Sequence, residues 1–159
     1  MTVGTHNQGF DRLVKKADIL AKKLKEEIII QKGHTKYSPV NCRHFDFADQ
    51  NKFEKLCKEA SIVITHGGVG SIITPLKMGK RIIVVPREKR FGEHTDDHQI
   101  QITKELERGK RIIAVYNINN LEEAIKNAKK QKPNAFDGRG KIQFIVREFL
   151  GKYENRNSA

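Results

Sequence analysis

The sequence predicts an α/β fold, a Rossmann-like parallel sheet with helices on both faces. Three observations lead there. Short apolar runs alternate with amphipathic stretches along the chain, and strands that alternate with helices imply parallel strands joined by right-handed crossovers, with helices packed on each face. Glycine-rich turns stand directly after apolar runs and before helical stretches. The chain has 159 residues, enough for one domain that buries roughly 68–70% of the surface its unfolded form exposes.

Taken in order, residues 1–3 read as a short strand, 11–25 as an amphipathic helix and 27–31 as a second strand, which makes a β-α-β unit. Residues 43–47 are a third alternating run, followed by a helix over 52–60 and a buried strand over 61–65. A Gly-rich turn then opens a short helix that ends at Gly79. The pattern continues with a strand over 81–85, a helix over 96–107 closed by Arg108 and Gly109, a strand over 111–115 and a helix over 121–130. Residues 1–132 are thus one domain. Residues 133–152 are expected to form a C-terminal amphipathic helix whose apolar stripe (Ile142, Phe144, Ile145, Phe149, Leu150) packs on its own sheet or on a partner. Residues 153–159 are expected to be a frayed tail.

Lys and Arg number 31 against 19 Asp and Glu, a formal net charge of +12. The basic residues are spread along helical faces (Lys15, Lys16, Lys22, Lys23, Lys25), the pattern of a solvated surface. No interleaved aromatics or recognition motif accompany them, so no nucleic-acid partner is expected. The charge suits an anionic membrane surface, at roughly 1 kcal/mol per Lys or Arg. The longest apolar stretches, 28–30 and 82–86, fall short of the roughly 20 residues a bilayer span needs. The opening MTVGTHNQGF lacks the basic and apolar regions of a secretory signal, so the expected location is cytoplasmic. Cys42 and Cys57 have no CxxC or paired-His spacing and are expected as reduced thiols.

Ligands of a parallel sheet bind beyond the carboxyl ends of its strands, and four loops there are unusual. Val3-Gly4-Thr5-His6-Asn7-Gln8-Gly9 puts two glycines and small polar residues between strand and helix, where backbone amides can approach a phosphate. Many such turns need Gly only for its backbone freedom. Thr65-His66-Gly67-Gly68-Val69-Gly70-Ser71 is the stronger signal, because exposed helix amides and a Ser hydroxyl make an anion site. Its spacing is neither G-x-G-x-x-G nor a P-loop, which disfavours NAD and ATP. The loop from Pro86 to His98 is longer than a connection requires, and such length signals function. His94, Asp96, Asp97 and His98 offer ligating atoms, but neighbouring side chains at a helix start diverge, and no metal is expected. Phe47-Ala48-Asp49-Gln50 is short, with Asp49 placed to cap the next helix.

From Ser61 to Gly109, with His-Gly-Gly-x-Gly-Ser and Asp-Asp-His-Gln as its most specific motifs, the sequence resembles the donor-binding half of glycosyltransferase family 28. The likeness covers about residues 1–130 and extends to the small stand-alone subunits of dolichol-linked GlcNAc transfer and exopolysaccharide synthesis. It implies the C-terminal half of a GT-B fold and a UDP-sugar as donor substrate, with no cofactor. It further implies that Gly4, Thr5, His6, His66, Gly67, Gly68, Gly70 and Ser71 face the diphosphate. Phe47 and Ala48 fall in the uracil-reading loop, and Asp97, His98 and Gln99 fall where side chains contact the sugar. Thr74, followed by Pro75, stands where the family usually has a carboxylate on the ribose, and its hydroxyl makes weaker hydrogen bonds than a carboxylate would.

The reaction so implied is an inverting attack of an acceptor hydroxyl on the anomeric carbon. Helix amides and nearby cations, Arg87 or Arg90, would stabilise the departing diphosphate. His6 and His94 are the candidate general bases, alongside a residue on a partner. That partner is expected to be a membrane-anchored, acceptor-binding subunit, since a chain of this length holds one Rossmann half. The competing expectation is a non-catalytic UDP-sugar-binding or regulatory subunit.

Overall fold

The computed structural model describes residues 1–24 and 27–132. Lys25, the helix expected over 133–152 with its partner contact, and the tail over 153–159 lie outside the described residues. Among the described residues five α-helices, α1 (Asp11–Leu24), α2 (Gln50–Glu59), α3 (Val69–Lys77), α4 (His98–Arg108) and α5 (Leu121–Lys130), alternate with five short strands. These strands are β1 (Ile29–Gln31), β2 (Arg43–Phe45), β3 (Ile62–Thr65), β4 (Arg81–Val84) and β5 (Ile113–Ala114).

All strand pairs are parallel. The first expected strand is reduced to Thr2, which bridges Gln31 of β1 on one side and Thr65 of β3 on the other. Backbone bonds from Thr2 N to Ile64 O and from Val3 N to Gln31 O, 2.9 and 3.1 Å long, secure it. Counting this segment as first, the spatial order runs 3-2-1-4-5-6. That is the doubly wound order, whose topological switch point falls between Thr2 and β3.

Apolar spacing determines which face each helix takes. On α1, Leu13, Val14, Ala17 and Leu20 recur at helical intervals, and with Leu121, Ala124, Ile125 and Ala128 of α5 they cover Val3, Ile30, Ile64 and Ile83 on one face of the sheet. Ile72 and Leu76 of α3 and Ile102 and Leu106 of α4 cover Ile82, Val84 and Ile112 on the other. Each of the larger aliphatic side chains contributes about 1.5–3 kcal/mol by leaving water. Asp11 opens α1 and Lys22 and Lys23 close it, while Glu122 and Glu123 open α5 and Lys129 and Lys130 close it, so both helices complement their macrodipoles.

Local chemistry also moves some boundaries. Asp49 caps α2 by accepting from Lys52 N at 2.7 Å, so this helix begins earlier than its apolar pattern alone indicates. The fourth helix begins at His98, not at 96, because the Asp96 carboxylate accepts from His98 N at 3.0 Å and turns the chain there. Among the described residues no helix is long and apolar enough to cross a membrane. A cavity of about 260 Å³ lies between α2 and the sheet, lined by Ile29, Phe53, Leu56, Cys57 and Ile62 among others, and shares no lining residue with the Gly-rich turns.

Candidate functional site

The Val3–Gly9 and His66–Ser71 turns leave the sheet on either side of its switch point and meet at the His66 ring. Gly4 has φ +76, and a Cβ on either Gly4 or Gly68 would run into that ring. Glycine is required at both positions, at the first for conformation and closeness and at the second for closeness alone.

Burial, reinforced by the Arg87 guanidinium, pushes the His66 imidazole down to about 3. The ring is neutral near pH 7. Gly68 N–H donates to Nδ1 at 3.0 Å, so the proton sits on Nε2. Nε2 in turn donates to the Ser71 hydroxyl at 3.1 Å, and that hydroxyl donates to the Gly68 carbonyl at 2.8 Å. This closed ring of bonds shapes the turn and engages Ser71 within it. Val69, Gly70 and Ser71 begin α3, where N–H groups have no intrahelical partner, and none of the three has another backbone partner among the described residues. Gly70 has open space where a side chain would be. Donors at the positive end of a helix, beside a switch point, are of the kind that suits an anion.

The loop between β4 and α4 packs against the Val3–Gly9 turn through Arg87. Within it, the Glu93 carboxylate takes two bonds from Arg12 of α1, at 2.9 and 2.8 Å, and a third from Glu88 N at 3.1 Å. Asp97 does not cap α4. It accepts from Lys89 N at 2.8 Å and so closes the loop on itself. His94 projects back and stacks on His6, ring centroids 4.5 Å apart. His6 also accepts from Gln8 N at 3.3 Å, and burial together with His94 and Arg87 holds its imidazole below the usual range. His94 and His98 both lie near the Asp96 carboxylate, at 3.1 and 3.7 Å. Among the described residues no group of three or more His, Cys, Asp or Glu is placed to hold a metal.

Two expected ligand contacts are placed otherwise. Arg87 is fully buried and does not present its charge to a diphosphate. Its guanidinium donates to the carbonyls of Gln8, Gly9 and Glu93 at 2.9–3.0 Å and of Val3 at 2.7 Å. The side-chain oxygen of Gln99, expected at the sugar, accepts from Gly67 N at 2.9 Å and Arg87 N at 3.1 Å. Arg90 is exposed and pairs with Glu88 at 2.6 Å. The Thr74 hydroxyl turns back to the Gly70 carbonyl at 3.3 Å. Phe47 is half exposed past the end of β2, edge-on to His34 at 5.0 Å, with Ala48 beside it. Thr5 lies exposed on the first turn.

Sequence reasoning missed Asp18, a buried carboxylate of α1 that accepts from Tyr37 Oη, Val40 N and both nitrogens of Asn41, at 2.7–3.3 Å. Burial alone would raise its pKa, but these donors hold it below the usual carboxylate range. It also missed the Arg12–Glu93 pair. An acid inside an otherwise apolar helical stripe was the one local signal for Asp18, whereas Arg12 and Glu93 are 81 residues apart and carried none.

The fold is that of a Rossmann-like α/β domain with Gly-rich turns at its topological switch point. A solved glycosyltransferase, the glycotransferase of kitacinnamycin, has this fold, with a TM-score of 0.62 and 16% identity over 94% of this chain and 38% of its own. Residues 1–146 match the glycosyltransferase family 28 C-terminal domain, and the chain belongs to that family. It is similar to the UDP-N-acetylglucosamine transferase subunit ALG13 of Candida albicans, 29% identical over 57% of this chain and 29% of that protein. The subunit of the same name from Yarrowia lipolytica is 32% identical over 50% of this chain and 38% of its own length. The matched stretch thus spans well under half of either relative.

Proposed function

We propose that this chain is the donor-binding, catalytic subunit of a two-component inverting glycosyltransferase. It takes a UDP-sugar, GlcNAc favoured, in the crevice between the Gly4 and Gly68 turns and passes the sugar to a lipid-linked acceptor held by a membrane-anchored partner. The observation that carries this reading is the set of N–H donors of Val69, Gly70 and Ser71 at the switch point, in a turn that His66 holds rigid. Family membership and the naming of its relatives as subunits of a UDP-GlcNAc transferase support the donor and the partner.

In the reaction, an acceptor hydroxyl oxygen forms a bond to the anomeric carbon from the face opposite UDP. The bond from that carbon to the diphosphate oxygen breaks, its electron pair stays on the diphosphate, and the hydroxyl proton passes to a base. The α3 amides stabilise the charge that develops on the leaving group, and they are already oriented before it appears. His66 serves as scaffold, since its Nδ1 and Nε2 are both engaged. His6, kept neutral by burial and by its neighbours, and His94 stacked on it each accept a backbone N–H at Nδ1, so either takes the proton only by giving up that long bond, in parallel with a base from the partner.

A second reading, a UDP-sugar-binding subunit without transfer, draws on Thr74, whose hydroxyl bonds its own helix. Calorimetric titration with UDP, UDP-GlcNAc and a generic oligonucleotide, followed by a transfer assay with the partner added, separates the readings. The proposal expects heat from both nucleotides, none from the oligonucleotide, and turnover only with the partner. Binding without turnover in the complete complex selects the second reading, and heat from the oligonucleotide alone rejects both.

A further inference from the structure

We propose that Gln99 is a positioning residue for donor binding, its Oε1 the shared acceptor that fixes the spacing of the three loops around the crevice. This rests on the donor-binding reading above. Gln99 lies in the first turn of α4 and is buried. Its oxygen accepts from Gly67 N, 32 residues away in the anion-binding turn, and from Arg87 N, 12 residues away at the start of the long loop.

A carbonyl oxygen has two lone pairs, and here two N–H groups occupy both. Little capacity is left at that oxygen for a sugar hydroxyl. The packing leaves no slack either, because a Cβ at Gly67 would lie 2.7 Å from Gln99 Cβ and 2.9 Å from Gln99 O. From Arg87 the linkage continues into the third loop, since the same residue's guanidinium holds the carbonyls of Val3, Gln8 and Gly9. One side-chain oxygen therefore joins the His66–Ser71 turn to the Pro86–Asp97 loop and, through Arg87, to the Val3–Gly9 turn. Preorganised donors bind a diphosphate well only when held within about 0.5 Å of the productive geometry. Removing this acceptor leaves two buried N–H groups without a partner and frees the loops to separate.

The test uses the full chain and two variants, Gln99→Leu, which removes the acceptor, and Gln99→Glu, which keeps an acceptor of the same reach. UDP and UDP-GlcNAc are titrated by calorimetry well below each melting temperature. Amide spectra of the ligand-free proteins are recorded alongside. Positioning predicts that Gln99→Leu weakens UDP and UDP-GlcNAc by the same factor, about tenfold or more, and that Gln99→Glu recovers most of the affinity for both. It also predicts that the Leu variant shifts amide signals in the Val3–Gly9 turn, which Gln99 does not touch directly.

Asp18→Asn, which loosens the 37–41 segment away from the crevice, is the control for stability. It should lower the melting temperature without changing either affinity. Loss of UDP-GlcNAc binding with UDP unaffected would make Gln99 a sugar reader and overturn the proposal. So would affinities that follow melting temperature equally in Gln99→Leu and Asp18→Asn, or Val3–Gly9 signals unmoved in the Leu variant. If the Leu variant does not fold, Gln99→Asn, too short to reach both N–H groups, takes its place. Absence of UDP binding to the unmodified chain would instead reject the donor-binding reading, and the ligand-free spectra still decide whether Gln99 couples the loops.

Discussion

His66 and Asp18 show how a single polar side chain can organise a segment of backbone, and both do so through a fixed protonation state. For His66 the folded pKa lies near 3, well below the ordinary histidine value of 6.5. The unfolded chain therefore binds a proton that the folded chain refuses. Stability is complete above about pH 6.5 and falls as pH drops from there toward 3. Thermal melts across this range should show that decline, and His66→Gln should flatten it; an identical slope in the variant would place its cause elsewhere. Asp18 is depressed, so its contribution is present above the ordinary carboxylate range and is lost as pH falls through its lowered folded value. Asp18→Ala leaves Val40 N, Asn41 N and the Tyr37 hydroxyl without their acceptor. A hydrogen bond to a charged group contributes about 1.5–3 kcal/mol, so losing this buried carboxylate and its set of donors should show in chemical denaturation as a loss of at least ~2 kcal/mol, with UDP affinity unchanged.

Among the elements, the loop from Pro86 to Asp97 holds a single 3-10 turn, Lys89–Phe91, and is otherwise ordered by side chains. Arg12 grips Glu93 with two bonds and reaches the Pro86 carbonyl with a third, while Arg87 and Asp97 fix the loop's two ends. Breaking one partner of a buried, hydrogen-bonded ion pair costs up to about 3–5 kcal/mol. Glu93→Gln should therefore lower stability by a large part of that amount and speed proteolysis at Arg90, in the exposed part of the loop. An uncut loop in the variant would show that Arg87 and Asp97 hold it unaided. The alternation of strands and helices, the two Gly-rich turns and the Asp49 cap were legible in the sequence because each depends on neighbours within a few residues. The roles of Arg87 and Gln99 were not. The Arg87 guanidinium finds Val3 across 84 residues, and a buried arginine looks like an exposed one until the fold supplies its carbonyl partners.

At the scale of the whole molecule, the doubly wound order brings the turn after the Thr2 segment and the turn after β3 together at the His66 ring, although Gly9 and His66 are far apart in the chain. Nucleotide binding is the property this arrangement exists to produce in the proposal made here, and the apolar cavity beneath α2 is the rival location for a small ligand. The most direct measurement is amide chemical-shift mapping of the isotope-labelled chain during titration with UDP. The predicted result is saturable movement of the Val69, Gly70 and Ser71 signals and of the Thr5–Asn7 turn, abolished in Gly68→Val, whose side chain would collide with His66. Signals that stay fixed at millimolar UDP, or that move around Phe53, Leu56 and Cys57 instead, would contradict the account.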